Sequence, residues 1–408
     1  MKITIHRGSR EIGGVCIQVQ SGDRSILLDA GSPLGESLST VDLNALDFSD
    51  IVISHPHQDH FGLIETLSSK KTVYMGPIAR KLIEATRVFL QQPPLTCSFG
   101  ELQSREWVDF GSDIRIMPYL MDHSCPDAFG LLIEAEGKRV YYSGDFRASG
   151  PRKEVFDYFL ADPPRDVDVL LMEGTMMGRG NARFPSEEAV ENGMAKVLKQ
   201  LGDRACFLIS SGRHVDRLCA AYSACLETGR DFVVDMYTAH VLRTVSDEFP
   251  SVPDINTSSR LKVLTNARTA GAHYVRIKEN RKFFGDFKDD LFRPETRVSK
   301  EQIAANPSRY FLKISHFSDM LRALSPCGVI YSMWSGYLEE PRFKRIKEDP
   351  RVEFHEIHTS GHAVVDDLRK MVDAIRPKSI VPVHTEHPEA YEMFGDVLLL
   401  PDGQPLDL

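Results

Sequence analysis

Long apolar runs are missing from this sequence. Nowhere does it approach the roughly 20 consecutive apolar residues that span a bilayer, which argues against a helical membrane protein. The opening Met1-Lys2-Ile3-Thr4-Ile5-His6-Arg7 lacks the apolar core of a secretory signal and reads as an edge strand. Paired cysteines are missing too. The seven present (Cys16, Cys97, Cys125, Cys206, Cys219, Cys225 and Cys327) are scattered, with no Cys-x-x-Cys, and such a set suits a reducing cytoplasm rather than a disulfide framework. There is no internal repeat at a fixed period and no low-complexity stretch. Nor is there an excess of positive charge: the formal net charge is −9. That balance would count against a nucleic-acid binder, except that two bound divalent ions would return about four positive charges where a phosphate must sit. What remains is a chain of 408 residues, 42% hydrophobic and 26% charged. It is an ordinary globular enzyme composition, long enough for two compact domains or one large domain with an insertion.

The first third alternates short β-rich runs with turns. Strands are expected at residues 15–19 and 25–28, around the turn Ser21-Gly22-Asp23, and at 50–54, followed by helical spacing over 62–68. Further strands follow at 114–116, 130–134, 139–142 and 167–172. Near residue 177 the texture changes. Ser186 caps a helix whose apolar face is Val190, Met194, Val197, Leu198 and Leu201; then come a strand at 206–209, a helix at 215–226 and a strand at 231–235. This βα alternation predicts a separate parallel sheet, with 328–332 as its last strand. From Val352 the pattern returns to short strands, at 352–357, 379–383 and 397–400, around a helix at 364–375. The expected domains are therefore 1–176 and 346–408 as one β-rich domain, interrupted by an α/β insertion at 177–345.

His55-Pro56-His57-Gln58-Asp59-His60 packs four metal-capable side chains into six residues. Alternate positions at a strand end direct His55 and His57 to one ion, and the turn into a helix directs Asp59 and His60 to a neighbour. Imidazole and carboxylate together suit zinc or another first-row divalent ion. One loop cannot fill two coordination shells, so further ligands are expected at strand ends. His123, Asp145 in Gly144-Asp145-Phe146 and His384 after Ile380-Val381-Pro382-Val383 are the candidates. Asp29, ending Ile26-Leu27-Leu28, is read as a carboxylate that orients ligands.

With these residues in view the chain resembles the metallo-β-lactamase fold, and within it the β-CASP branch of nucleic-acid-processing nucleases. Leu28-Asp29-Ala30-Gly31, His55 to His60, His123 and Asp145 look like the four motifs of the fold. Glu173 in Leu171-Met172-Glu173-Gly174-Thr175, His362 in Ser360-Gly361-His362-Ala363 and His384 in Pro382-Val383-His384 look like those of the branch. The segment His123-Ser124-Cys125-Pro126-Asp127-Ala128-Phe129-Gly130 and the closing motifs are similar to the ribonuclease J family, whose plan the pre-mRNA 3′-end cleavage endonucleases share. The resemblance implies an α/β fold: an αββα sandwich carrying an inserted α/β β-CASP domain. It also implies two divalent ions, Zn2+ with Mn2+ left open. His55, His57 and His123 would hold one, Asp59, His60 and His384 the other, with Asp145 between them. The histidine at 384 goes with RNA-processing members of the branch, where Artemis-like DNA nucleases carry valine. With the chain ending at Leu408, the C-terminal accessory domain of full-length ribonuclease J is expected to be absent.

The expected function is a cytoplasmic metal-dependent ribonuclease, endo- or 5′-3′ exonucleolytic, acting on single-stranded RNA with no membrane partner. A hydroxide bridging the ions would be the nucleophile, steered by Asp59. His362 would donate the proton to the leaving group and Glu173 would keep it charged. The alternatives are a DNA nuclease of the same family and a small-molecule thioesterase or lactonase, and a homodimer is left open. Ser360, Gly361 and Arg213, the last in the turn Ser210-Ser211-Gly212-Arg213, are candidates for holding a substrate phosphate. His358 lies near His362 in sequence, whereas His214, His240, His273, His316 and His387 lack metal spacing and read as packing or surface residues. The basic stretch from Arg260 to Lys288, including Arg268, interleaves with Phe283, Phe284 and Phe287, a pattern that suits either single-stranded nucleic acid or a solvated face.

Overall fold

The computed structural model describes residues 1–34, 40–68, 70–180, 183–265, 270–315 and 317–408; Arg268 and His316 lie outside them. The strands, in chain order, are β1 (Lys2–Arg7), β2 (Cys16–Ser21), β3 (Arg24–Leu28), β4 (Asp50–Val52), β5 (Thr72–Met75), β6 (Ser98–Glu101), β7 (Val108–Phe110), β8 (Ile114–Leu120), β9 (Phe129–Ala135), β10 (Lys138–Tyr142) and β11 (Val169–Met172). They continue with β12 (Cys206–Ile209), β13 (Asp231–Val234), β14 (Leu261–Leu264), β15 (Arg297–Val298), β16 (Tyr310–Lys313), β17 (Cys327–Tyr331), β18 (Val352–Glu356), β19 (Ser379–Pro382) and β20 (Pro405–Asp407). The chain divides into two compact units. One comprises Met1–Glu84, Pro94–Asn181 and Gly361–Leu408, the other Ala85–Pro93 and Ala182–Ser360.

The first unit holds two sheets, ordered β20-β1-β2-β3-β4-β5-β6 and β19-β11-β10-β9-β8-β7. Alternation along their strands explains the layering, because successive side chains point to opposite faces. In β9, Leu131 and Ile133 join Ile3, Ile17, Ile26 and Val52 in the core between the sheets. Leu132, between them in sequence, faces Phe156, Phe159, Leu368 and Met371 of the helices Lys153–Ala161 and Val365–Ile375. On the first sheet, Leu27, Ile51 and Val73 face outward onto Phe61, Leu63 and Ile83. Each such side chain, fully buried, stabilises the fold by about 1.5–3 kcal/mol. The result is an α/β fold of two sheets flanked by helices, the expected class.

Three expectations differ from the structure here. β1 is not an edge strand, because β20 pairs with it (Lys2 with Asp407, Ile3 with Leu406), a partner some 400 residues away in sequence. Of the strand expected at 397–400, only an isolated bridge from Val397 to Ile380 forms. The helix expected at 62–68 begins earlier, at Gln58–Phe61, and tightens into a 3-10 turn at Gly62–Thr66.

The second unit is one parallel sheet, β15-β14-β13-β16-β12-β17-β18, with helices between its strands. Ser186 caps the helix Glu187–Gln200 by accepting from the Ala189 amide, and the expected face of Val190, Met194, Val197 and Leu198 is buried. The sheet runs one strand further than expected. β18 pairs with β17 from Val352 to Glu356, so the return to the first unit begins at Gly361 rather than 346.

Candidate metal centre

The chain at the end of β4 enters the histidine loop. His57 stands at the N-cap of the helix Gln58–Phe61, and Asp59 and His60 occupy that helix. The loop fits against residues 29–32 through backbone hydrogen bonds from Ala30 N to His60 O and from Ser32 N to Gln58 O. At Gly31 this packing leaves no room for a side chain: a Cβ would lie 1.7 Å from the carbonyl oxygen of Asp59. Asp29 and His384 hold left-handed backbone conformations, with φ of 58° and 52°. For residues other than glycine this costs on the order of 1–3 kcal/mol each, a strain that persists where the surroundings over-determine the geometry.

His123 follows β8, Asp145 follows β10, Glu173 follows β11 and His384 follows β19. The structure brings all of them, with His55, His57, Asp59, His60 and His362, into one cluster within the first unit. His55 Nε2 and His123 Nε2 each lie 3.1 Å from His57 Nδ1. His384 Nε2 is 3.3 Å from Asp59 Oδ2, and His60 Nε2 is 3.9 Å from the same oxygen. Asp145 Oδ2 stands 3.2 Å from His60 Nε2 and 3.6 Å from both His55 Nε2 and His362 Nδ1, while its Oδ1 is 3.6 Å from His384 Nδ1. Most of these residues are buried; His57, Asp59 and His362 are the members with more exposure.

Hydrogen bonds behind the cluster set which imidazole nitrogens face it. Asp29 Oδ2 accepts from Ser54 Oγ, Tyr142 Oη and His60 Nδ1, each at 2.7 Å, and its Oδ1 accepts from Ser54 N at 2.7 Å. Because the Ser54 hydroxyl donates to Asp29, it accepts from His55 Nδ1, 3.0 Å away. His123 Nδ1 donates to the Gly361 carbonyl at 2.5 Å. His55, His60 and His123 are thereby held with Nδ1 protonated and the Nε2 lone pair turned inward, the state a metal ligand requires. Thr175 Oγ1 lies 2.8 Å from His384 Nδ1.

The residues fit divalent ions. Three nitrogen lone pairs converge at His55, His57 and His123, which is unfavourable without a cation between them. Among the described residues, His60 Nε2 and Asp145 Oδ1 are buried polar atoms that make no hydrogen bond. Burial pushes His55 and His123 well below the ordinary histidine pKa, with neighbouring imidazoles adding to the effect, so both are neutral. Burial would also lower His60, but Asp145, Asp29 and Asp59 around it raise it well above its ordinary value, and surroundings that favour a proton there favour a metal ion too. Burial acts to raise Asp59 and Asp145, and the histidines beside them hold both below the usual carboxylate range.

His362 Nδ1 lies 3.3 Å from each oxygen of Glu173. Glu173, fully buried, also accepts from the amides of Ala363 at 3.3 Å and Thr175 at 3.0 Å. Burial would lower His362, but Glu173 and Asp145 raise its pKa to about 9.

Residues 24–209 match the beta-lactamase superfamily domain, and residues 350–393 match the Zn-dependent metallo-hydrolase RNA specificity domain. The chain has the metallo-β-lactamase fold. It resembles ribonuclease J of Mycoplasma genitalium (22% identical, covering 94% of this chain and 68% of the relative) and ribonuclease J 1 of Streptococcus pyogenes (23%, 93% and 68%). "Probable RNase MJ4" of Methanocaldococcus jannaschii is 23% identical over 96% of this chain and 94% of its own length. A crystal structure of a protein of unknown function from Enterococcus faecalis superposes with a TM-score of 0.79 at 19% identity, covering 100% of this chain and 99% of the other. No helix among the described residues is long and apolar enough to cross a membrane. Within the metallo-β-lactamase fold the donor cluster sits where strands of both sheets end.

Ser54, Tyr142 and Thr175 carry no motif that marks them in the sequence, although the first directly precedes His55 and the last lies two residues after Glu173. Gly361, a candidate for holding phosphate, accepts from His123 through its carbonyl. Ser360 and Arg213 belong to the second unit, where the Arg213 amide donates to Ser211 Oγ at 3.2 Å. There, too, His358 Nδ1 accepts from the buried Arg217 at 3.1 Å, and the His214 ring accepts from the Arg217 amide. His240 is buried among Phe89, Phe284 and Phe287, His273 packs edge-on against Phe89, and His387 is exposed. The basic stretch does not form the aromatic surface expected of it. Phe284 and Phe287 are core residues of the second unit, and only Phe283 is exposed, so the three phenylalanines do not make a stacking surface. Arg260 pairs with Asp231, and Lys262 donates to backbone carbonyls.

Proposed function

We propose that the protein is a metal-dependent ribonuclease that hydrolyses phosphodiester bonds, with single-stranded RNA as its substrate and two divalent ions, Zn2+ or Mn2+, at its site. The observation that carries this reading is the shared carboxylate. Asp145 stands within 3.6 Å of His55 on one side and of His60 and His384 on the other. His55, His57 and His123 would hold one ion, Asp59, His60 and His384 the second, and Asp145 both. When bound, the ions supply an activated water at neutral pH and positive charge for the phosphate.

The chain's own residues do the rest. Asp29 holds His60 directly and His55 through Ser54, keeping both rings aimed at the cluster. Asp59 has its carboxylate partly exposed, where it can orient a water molecule. Glu173, held by the amides of Phe146, Thr175 and Ala363, pairs with His362 Nδ1 and stabilises the imidazolium, leaving Nε2 to protonate the leaving oxygen. The RNA assignment rests on the relatives named as ribonucleases and on the RNA specificity domain match, which spans Gly361, His362 and His384.

The test is to incubate metal-loaded protein with matched single-stranded RNA and DNA, each with 5′-phosphate and 5′-hydroxyl ends and labelled at either end. RNA cleavage that stops on chelation is expected, and the labels separate endonuclease from 5′-3′ exonuclease action. Cleavage of neither polymer, with rapid hydrolysis of a thioester or lactone, would overturn the proposal.

A further inference from the structure

β8 and β10, whose following loops carry His123 and Asp145, are not neighbours. β9 lies between them, so strand pairing leaves the two loops about two strand spacings, roughly 10 Å, apart and unlinked. The link comes from elsewhere. Arg147, two residues after Asp145, donates its amide to the carbonyl of Asp122, just before His123, at 2.8 Å. Its guanidinium lies 3.5 Å from the Asp122 carboxylate, and both side chains are fully buried. Nη2 of Arg147 also reaches the His123 carbonyl at 3.5 Å. Arg152 adds a second tie, with its Nη2 donating to the carbonyls of His123 and Cys125, each at 3.0 Å. The backbone closes over this pair at Gly150, whose amide donates to Asp122 Oδ2 at 3.0 Å and where a Cβ would lie 2.3 Å from that oxygen.

A buried ion pair is poor at adding net stability, because desolvation offsets the attraction. What it can do is fix geometry, since a guanidinium fork accepts few arrangements. Resting on the two-ion reading above, we propose that Arg147, Asp122 and Arg152 form a strut. It fixes His123 relative to Asp145, and thereby sets the affinity of the ion held by His55, His57 and His123. These are positioning residues; none of them contributes a donor atom to the cluster.

The experiment is a titration of the metal-stripped full chain with Zn2+ in competition with a chromophoric chelator. His123→Ala identifies the binding step that belongs to this ion. Arg147→Lys keeps the charge and loses the fork, while Arg152→Gln removes the two carbonyl contacts from a side chain that is 22% exposed, so it carries the test if Arg147→Lys does not fold. The expected result is about 10–100-fold weaker binding at that step, as for other residues that orient ligands, with the other step, which shares Asp145, weakened less. Folded variants that titrate like the wild type, or that lose both steps equally, would overturn the strut alone. A wild-type chain that takes up no metal would overturn the two-ion reading and the strut together.

Discussion

Replacing Asp29 with Asn changes one atom behind the metal cluster and leaves its shape intact. The carboxylate is fully buried and accepts four hydrogen bonds, all at 2.7 Å, three of them at Oδ2. An amide keeps one acceptor, and the three donors at Oδ2 draw its oxygen there. The NH2 group is then left facing the Ser54 amide, donor against donor. One bond is lost outright and three lose their charge assistance. Since a hydrogen bond to a charged group contributes about 1.5–3 kcal/mol, a loss of about 3 kcal/mol of folding stability is expected. His60 and the Ser54–His55 relay would aim less well, which in comparable ligand-orienting positions costs about 10–100-fold in metal affinity, or about 1.4–2.8 kcal/mol. Urea denaturation of the metal-free chain measures the first quantity and a competitive zinc titration the second. A folded Asp29→Asn chain that binds both ions like the wild type would refute the orienting role, whatever it lost in stability.

Three further outcomes are expected. His362→Ala should lower RNA cleavage by about 10²–10⁴-fold, the range for a lost general acid, while metal analysis still finds about two ions per chain; loss of metal would mean that His362 is a ligand. Asp145→Asn should lower the metal content itself, and an unchanged stoichiometry would refute the shared carboxylate. In the second unit, Asp235 accepts from Thr238 N, Ser315 N and Ser315 Oγ. Burial raises its pKa, but Lys313 and these bonds bring it below the usual value. A depressed carboxyl contributes stability above its unfolded pKa of about 3.9, and that contribution fades as pH falls through the folded value. Asp235→Asn should therefore cost about 1–3 kcal/mol at neutral pH and less in acid. Equal losses in urea melts on both sides of that range would refute the assignment.

The parts of this molecule legible in sequence are those governed by local chemistry. The histidine loop announces itself by spacing, and His123, Asp145 and His384 by their position just after strand-like runs, whereas Glu173 and His362 stand out only through the family resemblance. The buried face of the helix Glu187–Gln200 follows from periodicity and the Ser186 cap. What escaped depends on partners distant in the chain. β1 reads as an edge because nothing near it shows that residues 405–407 will cover it. β18 resembles the returning strands because its pairing with β17 has no local mark. Phe284 and Phe287 sit among cationic residues in sequence and in an apolar core in space. Ser54, Tyr142 and Thr175 are ordinary residue types whose roles arise only from the atoms opposite them.

The order of the strands also has a consequence for biosynthesis. β19 pairs with β11 and β20 with β1, after an excursion through the whole second unit. A nascent chain emerging from the ribosome exposes His55 to His60 early, yet it must extend past residue 384 before the last donor arrives, and past 407 before the outer edge of β1 is covered. Until then it carries a half-assembled metal cluster and an open strand edge. On the proposed function, hydrolytic competence is thus a late event in the life of the polypeptide, postponed at least until His384 has been translated.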